Sequence, residues 1–255
     1  MKVLFVGDVV GEAGCDFLRK HIYNIKQEHN IDFTIINGEN SAQGNGITPK
    51  SLQALKNIGA DVITTGNHCF KRKEIMDLYD REETLLRPAN YPNGVVGKGY
   101  TVIDLGFTSI AVINLIGTVY LEPLDNPFNC IDSILDEIST PNIFVDFHAE
   151  TTSEKKAMGQ YLAGKVSAVL GTHTHVQTAD EIILADHTAY ISDVGMTGPE
   201  LSALGVKTEI IIEKLKYHCP VKFVESENPC FINAVVVELN EKLGKATKIN
   251  RIIVR

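Results

Sequence analysis

Five short polar clusters in this sequence each follow an apolar run that reads as a β-strand. They are Gly7-Asp8 after Val3–Val6, Gly38-Glu39-Asn40 after Phe33–Ile36, Gly66-Asn67-His68 after Val62–Ile63, Phe147-His148 after Ile143–Val145, and Gly171-Thr172-His173-Thr174-His175 after Val166–Leu170. No other feature constrains the fold as strongly. In an open α/β sheet, ligands bind beyond the carboxyl ends of the strands. Clusters in those positions converge only if the strands that carry them run side by side in the same sense. Together they supply carboxylates, amides and imidazoles enough for two metal ions.

The segments between the clusters support that topology. Gly14–His29 places Phe17, Leu18, Ile22 and Ile25 at helical spacing. Thr48-Pro49 supplies an N-cap and a first-turn proline for a helix over Pro49–Ile58, which Gly59 ends. A polar helix is expected around Lys73–Tyr79. This βαβαβ order predicts parallel strands with right-handed crossovers. Leu85–Gly99 reads as an ordered loop rich in turns. Tyr100–Leu105 and Ser109–Ile116 flank Gly106 as a hairpin. Helices are then expected at Asn126–Ile138, Ser153–Leu162 and Lys207–Tyr217. Strands are expected at Asn142–Phe147, Glu181–Leu184, Thr188–Ile191, Asn233–Leu239 and Ala246–Val254. No linker, repeat or low-complexity tract divides the chain, so a single domain over 1–255 is the simplest organisation. Parallel units followed by antiparallel strands indicate two sheets packed face to face, with helices outside.

Composition narrows the function. A chain of 255 residues with 44% hydrophobic content can bury a substantial core. No apolar run approaches the ~20 residues of a membrane span, and the N-terminus does not read as a signal peptide. A cytoplasmic protein without membrane association is expected. The net charge of −8 disfavours stable binding of long nucleic acid, which needs lysine and arginine against phosphates. Small phosphate esters stay open, because bound divalent metals reverse the local field. The five cysteines, Cys15, Cys69, Cys130, Cys219 and Cys230, form neither a disulfide framework nor a zinc motif. Cys69 adjoins Asn67-His68 and reads as a thiol lining the pocket, with a catalytic thiolate as the alternative.

The clusters match the needs of a dinuclear metal centre. Asp8 is a hard oxygen ligand, though a carboxylate there can also cap the next helix. Glu39 has two oxygens and can bridge two ions, and its neighbour Asn40 adds a neutral carbonyl. Asn67 repeats that pattern, and His68 is free to donate a proton to a leaving oxygen. His173 and His175 are two apart, so in an extended segment both rings face one side; His148 adds a third imidazole. His21, His29, His187 and His218 lie in helical or turn contexts and read as ordinary surface residues. The metal donors are therefore Asp8, Glu39, Asn40, Asn67, His148, His173 and His175, with His68 spare. Two metals ~3.5–4 Å apart clamp phosphoryl oxygens and activate water. A mixed oxygen and nitrogen set without thiolate favours iron, then manganese, ahead of zinc or nickel. The chain has no P-loop, no dinucleotide fingerprint and no nucleophile elbow.

These motifs resemble those of the calcineurin-like metallophosphoesterases. Two departures, Asp8-Val9-Val10 where the superfamily has Asp-x-His and Glu39 where it has aspartate, point to one branch. With Leu86–Pro92, His148–Lys155 and Ser192–Gly198, they closely match the bacterial YmdB-like phosphodiesterases over almost the whole chain. The resemblance implies a four-layer α-β-β-α sandwich of two mixed sheets flanked by helices. It implies one metal on Asp8, Glu39, Asn40 and His175, and a second on Glu39, Asn67, His148 and His173, with Glu39 bridging and Asn40 replacing the missing histidine. It implies His68 as proton donor, a homo-oligomer, and a small phosphodiester or cyclic nucleotide such as 2′,3′-cAMP as substrate. A phosphomonoesterase or phosphoprotein phosphatase, and a nucleotide-sensing protein with little turnover, are the alternatives. The Arg87–Gly99 loop and the Glu150–Lys155 segment are expected to wall the pocket.

Overall fold

The computed structural model describes residues 1–255. The chain runs β1 (Lys2–Val6), β2 (Asp8–Val9), α1 (Gly11–His29), β3 (Phe33–Asn37), α2 (Pro49–Ile58), β4 (Val62–Thr64), α3 (Met76–Arg81), β5 (Tyr100–Asp104) and β6 (Ser109–Ile116). It continues through α4 (Pro127–Glu137), β7 (Ile143–His148), α5 (Thr152–Leu162), β8 (Ala168–Thr172), β9 (Ile182–Leu184), β10 (Thr188–Ile191), β11 (Met196–Pro199), α6 (Thr208–Tyr217), β12 (Cys230–Asn240) and β13 (Lys245–Val254).

These strands form two sheets. One is ordered β2-β11-β12-β1-β3-β4, with β13 on the other edge of β12; the second is ordered β5-β6-β7-β8-β10-β9. Strand side chains alternate between faces, and β1 shows the consequence. Val3 and Phe5 pack between the sheets with Ile110, Val112, Phe144 and Leu170. Leu4 and Val6 pack under Leu18 and Ile22 of α1 and Leu52 and Leu55 of α2. The far face of the second sheet, with Ile113, Val145 and Val169, is covered by Ile131 and Ile134 of α4 and Met158 and Leu162 of α5. Three apolar layers separate four layers of structure, so the α-β-β-α sandwich is the observed fold.

Local signals act as expected at most element ends. Thr48 and Ser51 cap α2 reciprocally, with Pro49 opening the helix. The Asn126 side chain accepts from the N–H groups of Phe128 and Asn129 at the start of α4. β5 and β6 pair as a hairpin, with Gly106 at φ 82° in the turn. Three details differ from the sequence expectation. α1 begins at Gly11 rather than Gly14, because the Gly14 N–H already bonds the Val10 carbonyl. The Lys73–Tyr79 helix is a 3₁₀ turn over Lys73–Ile75 that leads into α3. The chain also does not divide into a parallel half and an antiparallel half: β6, β7, β8 and β10 are parallel, and the C-terminal β12–β13 pair returns to the first sheet beside β1.

The site is placed by parallel strands β1, β3 and β4 in one sheet and β7 and β8 in the other, whose carboxyl ends meet at one end of the sandwich. Past Val6 the first sheet splits. β11 wedges between β2 and β12, so Asp8 leaves the line of β1 and pairs with Met196.

Candidate metal centre

The seven donors fall into two groups that meet at Glu39. In the first, His148 Nε2 lies 3.0 Å from Asn67 Oδ1, 3.0 Å from His173 Nδ1 and 3.3 Å from Glu39 Oε2. In the second, His175 Nε2 lies 3.7 Å from Asp8 Oδ1 and 3.4 Å from the Asn40 amide, whose Nδ2 reaches Glu39 Oε1 at 2.7 Å. Asp8, Glu39, Asn40 and His148 are buried; Asn67, His173 and His175 are partly buried.

The first group is fixed from behind. The Thr172 hydroxyl donates its single hydrogen to Asp146 Oδ1 at 2.7 Å, so toward His148 Nδ1, 2.9 Å away, it can only accept. His148 therefore carries hydrogen on Nδ1 and points Nε2 at an amide oxygen, a carboxylate oxygen and another imidazole. With Nε2 deprotonated, as a metal ligand must be, it and the three acceptors 3.0–3.3 Å away repel one another unless a cation sits among them. That separation is what ligands ~2.1 Å from a common ion have at right angles. The donors fit a metal for this reason. Asp146 itself is buried, receives the Asn37 amide at 3.0 Å and the Thr64 hydroxyl, and stitches β3 and β4 to β7.

The second group is left incomplete: the Asn40 Nδ2 donates to Glu39 Oε1 and faces His175 Nε2, and its Oδ1 turns to His68. Asp8 Oδ1 and His175 Nδ1 are buried without hydrogen-bond partners, an arrangement that costs ~1–3 kcal/mol per group unless something completes it. Without cations the titration of the cluster is strongly displaced. Burial pushes Asp8 up to about 7. Burial pulls His148 down, but Glu39 and the other carboxylates outweigh it and raise the ring to about 9. Burial likewise pushes Glu39 up, yet His148 and His68 hold it well below the usual carboxylate range. Burial, with repulsion from His148, pulls His173 down to about 3.

His173 and His175 meet their groups by a route the sequence did not indicate. β8 ends at Thr172, and the two histidines have φ values of 99° and 63°. They do not share one side of an extended strand. A tight left-handed loop aims them, and Asp193 holds that loop: its Oδ2 accepts from the Thr174 N–H at 2.9 Å, the Thr174 hydroxyl at 2.7 Å and Lys155 Nζ at 2.6 Å. The Lys155–Asp193 pair is almost wholly buried. At its outer end, His173 Nε2 meets Glu150 at 2.9 Å.

His68 sits at the mouth, about a quarter exposed. Its Nδ1 faces two acceptors, Asn40 Oδ1 at 2.9 Å and Glu39 Oε1 at 3.2 Å, so Nδ1 is the donor. Gly66 makes the neighbouring approach possible: a Cβ there would lie 2.3 Å from His148 Nε2 and 2.4 Å from Glu39 Oε2.

A cleft of about 400 Å³ opens over these groups, lined by Glu39, Asn40, His68, Glu150, His173 and His175 among others. Two sequence expectations are corrected here. Glu150 lines the cleft, but the Arg87–Gly99 loop lines a separate groove beside α4, because the Arg87 guanidinium folds back onto carbonyls of its own loop. The opposite side of the cleft comes instead from the segment between β11 and β12, with Leu204, Val206, Ile211 and Phe223. Cys69 does not line the pocket. It is fully buried in the core beside α2, and burial pushes its thiol up to about 12, which removes a thiolate from consideration.

The family model described as "YmdB-like protein" matches residues 4–252. The chain belongs to the YmdB-like family. It is 48% identical over its whole length to a Bacillus subtilis protein named 2′,3′-cyclic-nucleotide 2′-phosphodiesterase, covering 97% of that protein. It superposes with a TM-score of 0.95 on the crystal structure of a hypothetical protein from Thermus thermophilus, at 36% identity, covering 100% of this chain and 99% of that one. It gives the same score at 33% identity against a Mycoplasma pneumoniae structure described as a novel phosphatase, covering 100% of this chain and 93% of the other. The resemblance read from the strand-end motifs is borne out, and so is the fold it implied.

Proposed function

We propose that this member of the YmdB-like family is a dinuclear-metal phosphodiesterase acting on small diesters, with cyclic nucleotides of the 2′,3′-cAMP kind as the substrate class. One observation carries the reading. The cleft presents two groups of acceptors joined by one carboxylate, and no lysine or arginine lines it. An anionic diester finds no protein cation there to pair with, so cations held by the acceptors themselves must supply the attraction. The name of the Bacillus relative supports the diester over a monoester.

Asp8, Glu39, Asn40 and His175 would hold one metal and Glu39, Asn67, His148 and His173 the other, with iron or manganese favoured by the mixed donor set. When bound, such a pair polarises the phosphoryl oxygens and makes water nucleophilic near neutral pH. The protein's own residues do the rest. Thr172 and Asp146 keep the His148 lone pair directed inward. Asp193 and Lys155 keep His173 and His175 in their left-handed loop. Asn40 and Glu39 hold His68 by its Nδ1–H, so that in the imidazolium form Nε2–H would give its proton to the departing alkoxide and leave a neutral ring. The same reading carries one domain, a cytoplasmic location and a homo-oligomer. No helix of the chain is long and apolar enough to cross a membrane.

The test is multiple turnover of 2′,3′-cAMP by metal-loaded protein, set beside a phosphomonoester at equal concentration. Turnover of the diester in excess is expected. Exclusive action on the monoester would make the protein a phosphatase, and failure to turn over either would leave a binding protein.

A further inference from the structure

The metal cleft has one apolar side, which the hydrolysis of phosphate does not require. Val10, Leu204, Val206, Ile211 and Phe223 line it, and Phe223 and Leu204 also border a second, separate cavity of about 460 Å³ that Lys222 and Glu225 help to line. Phe223 is 43% exposed and Leu204 is 52% exposed, although both belong to a segment that the fold holds firmly. The Lys207 N–H bonds the Val224 carbonyl at 2.9 Å and the Ser226 N–H bonds the Gly205 carbonyl at 2.8 Å, so the two arms of the segment are tied together. Glu225 Oε1 accepts from the Gly44 N–H at 3.1 Å and anchors the arms to the loop after Asn40. Gly205, at φ 94°, lets the segment press on Val10: a Cβ there would lie 2.5 Å from Val10 Cγ1. The ammonium of Lys214 sits 4.7 Å from the Phe223 ring centroid and braces the ring.

A fixed aromatic and aliphatic wall beside a group of metal donors matches the shape of a phosphate ester with a flat apolar substituent. The cleft of about 400 Å³ is larger than a cyclic phosphate needs and falls in the range of small-molecule sites. We propose that this wall is the nucleoside subsite, with Phe223 as the specificity residue whose ring stacks on the base. The assignment rests on the phosphodiesterase reading above and names the part of the substrate that the metals do not touch. Stacking of this kind is tolerant of base identity, since every base has a π-face. Purine and pyrimidine cyclic nucleotides are therefore both accepted, and diesters without a base are handicapped in binding.

Two substrates and one ligand test it on metal-loaded protein. In Phe223→Ala, KM for 2′,3′-cAMP is expected to rise about tenfold, while kcat/KM for glycerol 1,2-cyclic phosphate, which has no base, stays within twofold. Phe223→Trp is expected to restore the low KM. Calorimetric titration with 3′-AMP is expected to show the same tenfold weakening in Phe223→Ala, and it reads the subsite even if the wild type turns over neither diester. Equal losses on both substrates, or unchanged KM and unchanged 3′-AMP affinity in Phe223→Ala, would overturn the subsite. Wild-type protein that binds 3′-AMP through Phe223 yet hydrolyses no diester would overturn the phosphodiesterase reading and leave the subsite standing.

Discussion

The two donor groups that share Glu39 are built to different standards. Around His148 every donor atom lies within 3.3 Å of Nε2, and the ring is locked by Thr172 and Asp146 inside two parallel strands. Around His175 the contacts run from 3.4 to 3.7 Å, and Asp8 Oδ1 and His175 Nδ1 lack partners. The difference follows from the elements that carry them. His148 ends a strand buried on both faces, whereas His175 stands in a loop held from outside by Asp193. The His148 ring is itself locked at a strand end, and Asn67, Glu39 and His173 gather on its fixed Nε2; the His175 ring has no such lock. The His148 group is accordingly expected to be the tighter of the two and to fill first as metal is added.

Substitutions can break or sharpen that contrast. Glu39 belongs to both groups, so Glu39→Gln is expected to lose metal from both and bring activity to background. Elemental analysis showing two retained ions would remove the bridge. His68 lies outside both groups; His68→Ala should keep the metals and lower kcat about 10²–10⁴-fold. Near-normal steady-state turnover would take it out of the mechanism. Thr172→Val removes the lock on one side only. Metal affinity of the His148 group is expected to fall about 10–100-fold, with the other group unchanged, as read by competition with a chelator. Equal weakening of both would deny their independence.

Lys155→Met leaves Asp193 buried without its partner and is expected to cost about 3 kcal/mol of stability in denaturant unfolding. Its effect on metal should fall on His173 and His175 together. The smallest effect concerns protons. With no metal bound, His148 is raised to about 9, so at pH 7 it is protonated, whereas a ligand imidazole is neutral. Asp8, raised to about 7, is half protonated there. Loading manganese at pH 7 should release between one and two protons, measured by calorimetry in buffers of different ionisation enthalpy. Release should shrink as pH rises through 9. No release at pH 7 would contradict the titration ascribed to the metal-free cluster.

The ends of β1, β3, β4, β7 and β8 were legible because each couples an apolar run to an abrupt polar cluster, and parallel topology leaves such clusters one place to meet. The supports behind them were harder to read. Asp146 stands alone among Ile143, Phe144, Val145 and Phe147, and a charge in the middle of an apolar strand was the signal available. Its partners Asn37, Thr64 and Thr172 lie far off in sequence, so its role emerges only once the sheets face each other. Met196-Thr197-Gly198-Pro199 resembles a turn and forms β11 because β2 and β12 flank it. The loop of His173 and His175 defeats a period-two reading because Asp193, not strand geometry, sets its backbone. The segment around Phe223 carries little periodicity; its place over the cleft is set by Glu225 and Gly205, neither of which advertises a contact in sequence.

Anomalous diffraction from crystals of protein produced with iron or manganese tests the central claim directly. Two peaks are expected, one on each side of the Glu39 carboxylate, the first among Asn67, His148 and His173 and the second among Asp8, Asn40 and His175. A single peak away from Glu39, or ions bound only elsewhere on the surface, would contradict the account.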